Sequence, residues 1–79
     1  MSSTSEKFKT SYYLTKKNDT TPIVFIHGVG LTKEIWRPQV DFFKDHNLLT
    51  YDLIGHGNTP LEKTQLNFED FTKQLLNLI

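Results

Sequence analysis

The sequence predicts an α/β fold: a strand, then a βαβ unit on a mostly parallel sheet, then the opening of a further helix. Three observations predict it. Residues 23–26, "IVFI", are apolar without alternation and mostly β-branched, the pattern of a strand covered on both faces. "LLTYDL", from Leu48 to Leu53, is a second such stretch. Between them "LTKEIWRPQVDFFKDHN" places Trp36, Val40 and Phe43 at helical spacing. Two parallel strands need a crossover of this kind.

Taken in order, residues 1–7 are polar after Met1 and are expected to be disordered, with the domain occupying residues 8–79. "FKTSYYLT" is rich in β-formers and reads as the first strand. A turn follows at "KKNDTTP". In the crossover helix Pro38 suits a first turn, and Asn47 can end the helix in a left-handed conformation. "IGHGNTPLEKTQL" carries two glycines and a proline and reads as a solvated loop, its "LEKT" charges included. Asn67 with Asp70 forms a capping-box variant, and Phe68, Phe71, Leu75 and Leu78 make one apolar helical face. The chain stops at Ile79 inside that helix without a C-cap, so the expected domain is truncated.

Composition excludes several classes. With 79 residues and 9.2 kDa the chain allows one small domain, which buries roughly 60% of the surface its unfolded form exposes. Nine basic and nine acidic residues cancel, so no electrostatic attraction to nucleic acid or a charged membrane is expected. No cysteine is present, which removes disulfides, thiolate zinc sites and a cysteine nucleophile. His27, His46 and His56 lack the paired spacing of a zinc site. The longest apolar run is too short to span a bilayer, and "MSSTSEKFK" is not a secretory signal. The expectation is a soluble, cytoplasmic chain with no cofactor and no metal.

The chemistry concentrates where "PIVFIHGVG" leaves the strand. Ligand sites in open parallel sheets lie at the carboxyl ends of strands, and Gly28 to Gly30 stands at such an end. Glycines there let backbone N–H groups approach a bound atom. One class that uses this arrangement is a dinucleotide site, with Gly28 and Gly30 as the first two glycines and Asp52 at the ribose. The third glycine is missing, Lys33 standing in its place, so a dinucleotide-binding βαβ unit is kept as a less favoured alternative. The other class is acyl transfer, in which loop N–H groups stabilise an oxyanion.

"PIVFIHGVGLTKEIW", then "LLTYDLIGHGNTP", then "NFEDFTKQLLNLI", resembles the N-terminal third of an α/β-hydrolase of the esterase, lipase, haloperoxidase and C–C hydrolase type. The similarity covers about residues 10 to 79. It implies that "HGVG" is the oxyanion loop after the family's third strand. It also implies that "DLIGHGNT" corresponds to the block "D-x-x-G-x-G-x-S" after the fourth, with Thr59 in place of serine. "FKTSYYLT" resembles the second strand, and the usual first strand is short or absent. In the resembling fold the third strand lies between the fourth and a fifth that these residues do not encode.

The roles implied for single residues follow the same blocks. Val29 offers its backbone N–H as one of two oxyanion donors and lines the pocket mouth, while Gly28 and Gly30 permit the loop's conformation. His27 is read as a buried imidazole that fixes the loop, because the family's catalytic histidine follows its serine and acid in sequence. Asp52 organises its loop through backbone N–H groups, and Gly55, His56 and Gly57 belong to that loop's bonding network. Trp36 packs the crossover helix on the sheet. No "G-x-S-x-G" elbow occurs, and Ser2, Ser3, Ser5 and Ser11 all lie in the first segment. The expectation is a chain that is inactive alone and forms part of an esterase-like hydrolase of a small ester-like substrate. A separately encoded C-terminal half is a possible partner. The non-enzymatic alternative is a relic or interaction module.

Overall fold

The computed structural model describes residues 3–61 and 65–79. Most of "LEKT" and the first two residues of the expected disordered segment lie outside them. The strands are β1 (Ser3–Thr4), β2 (Ser11–Thr15), β3 (Ile23–Ile26) and β4 (Leu48–Tyr51). A 3₁₀ turn (Lys33–Trp36) runs into α1 (Arg37–Phe42), and α2 spans Phe68–Leu78.

The four strands form one mixed sheet in the order β1-β2-β4-β3. β3 and β4 are parallel, in the register Ile23 to Leu48 and Ile26 to Tyr51. The β2–β4 and β1–β2 pairings are antiparallel. The mostly parallel sheet expected from sequence is thus confined here to the βαβ unit. Ser3 and Thr4, expected to be disordered, pair with Tyr12 and Ser11. The turn between these strands closes through Ser5 N–H to the Thr10 carbonyl at 2.9 Å and Thr10 N–H to Ser5 Oγ at 3.2 Å.

Every residue of β4 is buried, as a central strand covered on both faces requires. Alternation sends Leu49 and Tyr51 to one face, where with Leu53 they form the core against Tyr12, Val24, Phe71, Leu75 and Leu78. Burial pushes the Tyr51 phenol above its usual value. On the opposite face Phe25 stacks at 5.1 Å from Trp36 and 6.3 Å from Phe43. Trp36 therefore packs the crossover on the sheet, as its spacing predicts. β3 is less covered than its apolar run suggests, and Ile26 is exposed. Its one strand neighbour among the described residues is β4, so the other flank is an edge.

The crossover is shorter and less regular than a single helix over residues 31–47. Thr32 caps the 3₁₀ turn by accepting from Glu34 N–H. The switch to α geometry comes at Pro38, which has no N–H to donate and sits in the first turn of α1. Asn47 does not end this helix in a left-handed conformation, since Lys9 is the one described non-glycine residue with positive φ. Its buried side chain instead clasps the turn before β3. Oδ1 accepts from the N–H groups of Lys17 and Asn18, and Nδ2 donates to the carbonyls of Asn18 at 2.8 Å and Thr20 at 2.6 Å.

α2 begins with the expected capping box, Asn67 Oδ1 accepting from Asp70 N–H and Asp70 Oδ2 from Asn67 N–H. Its apolar face differs from expectation. Phe68 is 91% exposed, whereas Gln74, at a position on the same helical face as Phe71, Leu75 and Leu78, is fully buried.

Candidate active site

The parallel strands β3 and β4 end side by side, and the two loops that leave them build the site. The loop after β3 runs from His27 to Gly30. Leu31 N–H donates to the Gly28 carbonyl at 3.1 Å, closing a turn in which Gly30 is the third residue with φ 87°. A type II turn needs positive φ there, which glycine adopts without steric penalty. At Gly28 the constraint is weaker, since an added Cβ would meet only Leu31 Cδ1 at 3.8 Å. Val29, at the turn's apex, is 88% exposed, and its N–H donates to no atom of the described residues.

Two imidazoles brace this turn. His27 is buried, and its Nε2 accepts from Leu53 N–H at 3.0 Å. That places its proton on Nδ1, which donates to the Gly28 carbonyl at 2.7 Å. His56 accepts the Gly30 N–H at Nε2, 3.0 Å away, and donates from Nδ1 to the Ile54 carbonyl at 3.1 Å. The rings lie 5.1 Å apart. His56 was expected to serve the loop that carries it; it also reaches across to the other loop.

Asp52 organises the second loop, the role the resemblance implies, with every polar group it has. Its N–H donates to the Ser11 carbonyl, and its own carbonyl accepts from Thr59 Oγ1 and Gln74 Nε2, each at 2.9 Å. Oδ1 accepts from Lys33 N–H at 2.7 Å; Oδ2 accepts from Asn58 N–H and from Lys33 Nζ, both at 3.0 Å. Burial pushes the carboxyl up, but the two backbone N–H groups and the Lys33 ammonium outweigh it and hold Asp52 below the usual carboxylate value. Gly57, with φ 50°, lies so close that a Cβ would approach the Asp52 carboxylate to 2.5 Å. Gly55 is likewise left-handed, with φ 78°.

Sequence reasoning missed three contributors. Lys33, noted only as the residue that spoils a dinucleotide motif, neutralises Asp52. Gln74 ties α2 to the loop by accepting from Ile54 N–H at 3.1 Å and donating to Thr10 Oγ1 at 3.0 Å. The Thr59 hydroxyl, noted only as a stand-in for serine, also accepts from Ser11 N–H at 2.9 Å. For Gln74 a signal existed: a polar residue at an apolar-face position of an amphipathic helix. For Lys33 there was none.

This arrangement can offer unpaired backbone donors at the carboxyl end of β3, the Val29 N–H among them, and little else chemically. No described serine sits on a strand-to-helix elbow, because Ser3 and Ser11 lie within β1 and β2 and Ser5 in the turn between them. A ribose hydroxyl would find the Asp52 carboxylate buried and occupied, which removes the basis of the dinucleotide reading. Among the described residues no cluster of His, Asp and Glu could hold a metal ion. Nor is any described helix long and apolar enough to cross a membrane.

Comparison with known proteins gives this geometry its context. The chain is 31% identical over 72 residues to the (E)-2-((N-methylformamido)methylene)succinate hydrolase of Acinetobacter baylyi, covering 90% of this chain and 27% of that protein. It is 33% identical over 66 residues to the pimeloyl-[acyl-carrier protein] methyl ester esterases of Legionella pneumophila strains Paris and Corby, covering 82% of this chain and 26% of each. The chain thus spans about a quarter of the length of these relatives. No solved structure matches it. The model of the alpha/beta hydrolase family matches residues 23–79, the stretch that holds β3, the crossover, β4 with its Asp52 loop, and α2. On that match and these relatives, the chain belongs to the alpha/beta hydrolase family.

Proposed function

We propose that the chain supplies the oxyanion loop of a hydrolase that cleaves an ester or related bond in a small molecule. Nucleophile, acid and catalytic histidine come from sequence outside these 79 residues. The observation that carries this reading is the Val29 N–H, unpaired and exposed at the end of β3, in a turn held on both sides by histidines. Preorganised backbone donors of this kind stabilise developing negative charge at little reorganisation cost. The Gly30 N–H is already engaged by His56, and the family resemblance favours the N–H of the residue after the His27–Gly28 pair, Val29, as the donor. The relatives, a hydrolase and two methyl ester esterases, favour carboxylic ester chemistry over the other reactions of the fold.

On this reading the chain alone is inactive, because an oxyanion donor without a positioned nucleophile provides only part of the catalysis. The expected result is no saturable turnover of p-nitrophenyl esters above a protein control. Turnover that disappears in Gly30→Ala would overturn it. The coding DNA beyond the Ile79 codon supplies the second arm: a continuation encoding "G-x-S-x-G" supports the hydrolase, and the joined protein should then hydrolyse a member of an ester and lactone panel. The exposed Ile26, Leu31, Ile35 and Phe42 favour a second reading, an association module. Unrelated downstream sequence would select it.

A further inference from the structure

His27 and His56 carry the same proton pattern, imposed by backbone groups rather than by side-chain charges. Each presents a bare Nε2 to an N–H, that of Leu53 for His27 and that of Gly30 for His56, both at 3.0 Å. His27 ties the start of the turn through the Gly28 carbonyl, and His56 ties its end. The His27 bond to Leu53 is buried, whereas the His56 bond to Gly30 lies at the surface. Solvent protons therefore reach His56 without opening the core.

We propose that neutral His56 is a positioning residue for the Val29 N–H, and that protonating its ring releases the turn. The inference rests on Val29 being the oxyanion donor. By accepting from Gly30, His56 fixes the peptide that follows Val29. A proton on Nε2 would turn that acceptor into a donor facing another donor, and no hydrogen bond survives. The Nδ1 bond to Ile54 persists in either state, so the ring stays tethered while the turn loosens. The ionisable side chain in ring contact with His56 is His27 from the loop after β3; Asp52, at the base of the loop that carries His56, and Lys33 of the 3₁₀ turn pair with each other. Asp52 and Lys33 already compensate each other, and the His27 ring lies 5.1 Å away.

The test is NMR of the ¹⁵N-labelled 79-residue chain across roughly pH 5 to 8, the range in which imidazoles ordinarily titrate. At high pH the His56 ring nitrogens should report the Nδ1–H tautomer. As the ring is protonated, the Gly30 amide should shift with it. Its protection against hydrogen exchange, normalised to the intrinsic rate at each pH, should fall roughly two- to tenfold, the range one net hydrogen bond commands. The Ser11 amide, bound to Thr59 Oγ1, should keep its protection. His56→Gln retains an acceptor that does not titrate, so Gly30 should stay protected at every pH, whereas His56→Phe should lose protection at every pH.

Three results would overturn the proposal: an Nε2–H tautomer, a Gly30 amide unprotected at all pH values, or a pH response that persists in His56→Gln. None of these readouts requires turnover. A failed clamp leaves the hydrolase reading standing, and a failed hydrolase reading leaves the clamp measurable.

Discussion

Lys33 Nζ lies 3.0 Å from Asp52 Oδ2 in an ion pair whose side chains are 4% and 1% exposed, joining the turn that opens the crossover to the loop that follows β4. Removing one member strands the other in the interior, which costs about 3–5 kcal/mol. For a domain whose whole stability is of order 5–15 kcal/mol, that is a large fraction. Lys33→Met should therefore move the urea midpoint sharply or abolish the cooperative transition. A loss below about 1 kcal/mol would show that the backbone N–H groups alone hold Asp52.

Asp52 also sets an acid limit. Its carboxyl is held below the ordinary value of 3.8, so the folded state binds fewer protons than the unfolded state near that pH. The stability it contributes is fully present above 3.8 and is lost as pH falls through the lowered folded value. Denaturant midpoints measured down through this range should fall for the parent chain. They should fall less steeply for Asp52→Asn, which is weaker throughout.

Gly57 and Gly30 both carry positive φ but differ in surroundings. An alanine Cβ at Gly57 would meet Asp52 Cγ at 2.5 Å, and that carboxylate is pinned by three donors. At Gly30 a Cβ would meet nothing within 4 Å. Gly30→Ala should cost only its backbone penalty, about 1–2 kcal/mol. Gly57→Ala should prevent a cooperative transition, and equal thermal shifts for the two would count against this packing.

Gln74 gives α2 its seat. Gln74→Leu is nearly matched in size but leaves Ile54 N–H and Thr10 Oγ1 without their buried partner. The expected loss is about 1–3 kcal/mol, read as a lower melting temperature. Stabilisation by the added apolar surface would contradict the role assigned to this side chain.

The outer flank of β3 predicts association. A strand that carries apolar side chains and has one described neighbour presents unpaired backbone groups to any similar edge. Size-exclusion chromatography with light scattering should show concentration-dependent oligomers, and Ile26→Lys should reduce them. A parent chain that stays monomeric at high concentration would rule out this edge as sticky.

Much of the fold was legible because it is written in neighbouring residues. β3 and β4 follow from uninterrupted apolar runs, α2 from the Asn67–Asp70 capping box, and the two loops from glycines placed directly after strands. Local errors have local causes. Pro38 divided the crossover, and a short hairpin paired Ser3 and Thr4 that polarity alone marked as loose. The position of Val29 at a strand end was legible too; that Gly30 loses its N–H to His56 was not.

By itself the sequence determined the strands β3 and β4, the start of α2 and the glycine turns after the strands, since periodicity and turn chemistry act within a few residues. Only the tertiary structure decided which polar groups meet. Lys33 finds Asp52 across 19 positions, Asn47 finds Asn18 across 29, His56 finds Gly30 across 26 and Gln74 finds Thr10 across 64. A buried donor or acceptor must be satisfied, but its partner is whichever group sheet order and helix placement bring within about 3 Å. That choice is made once β4 lies between β2 and β3 with α2 across one face, and no spacing along the chain encodes it.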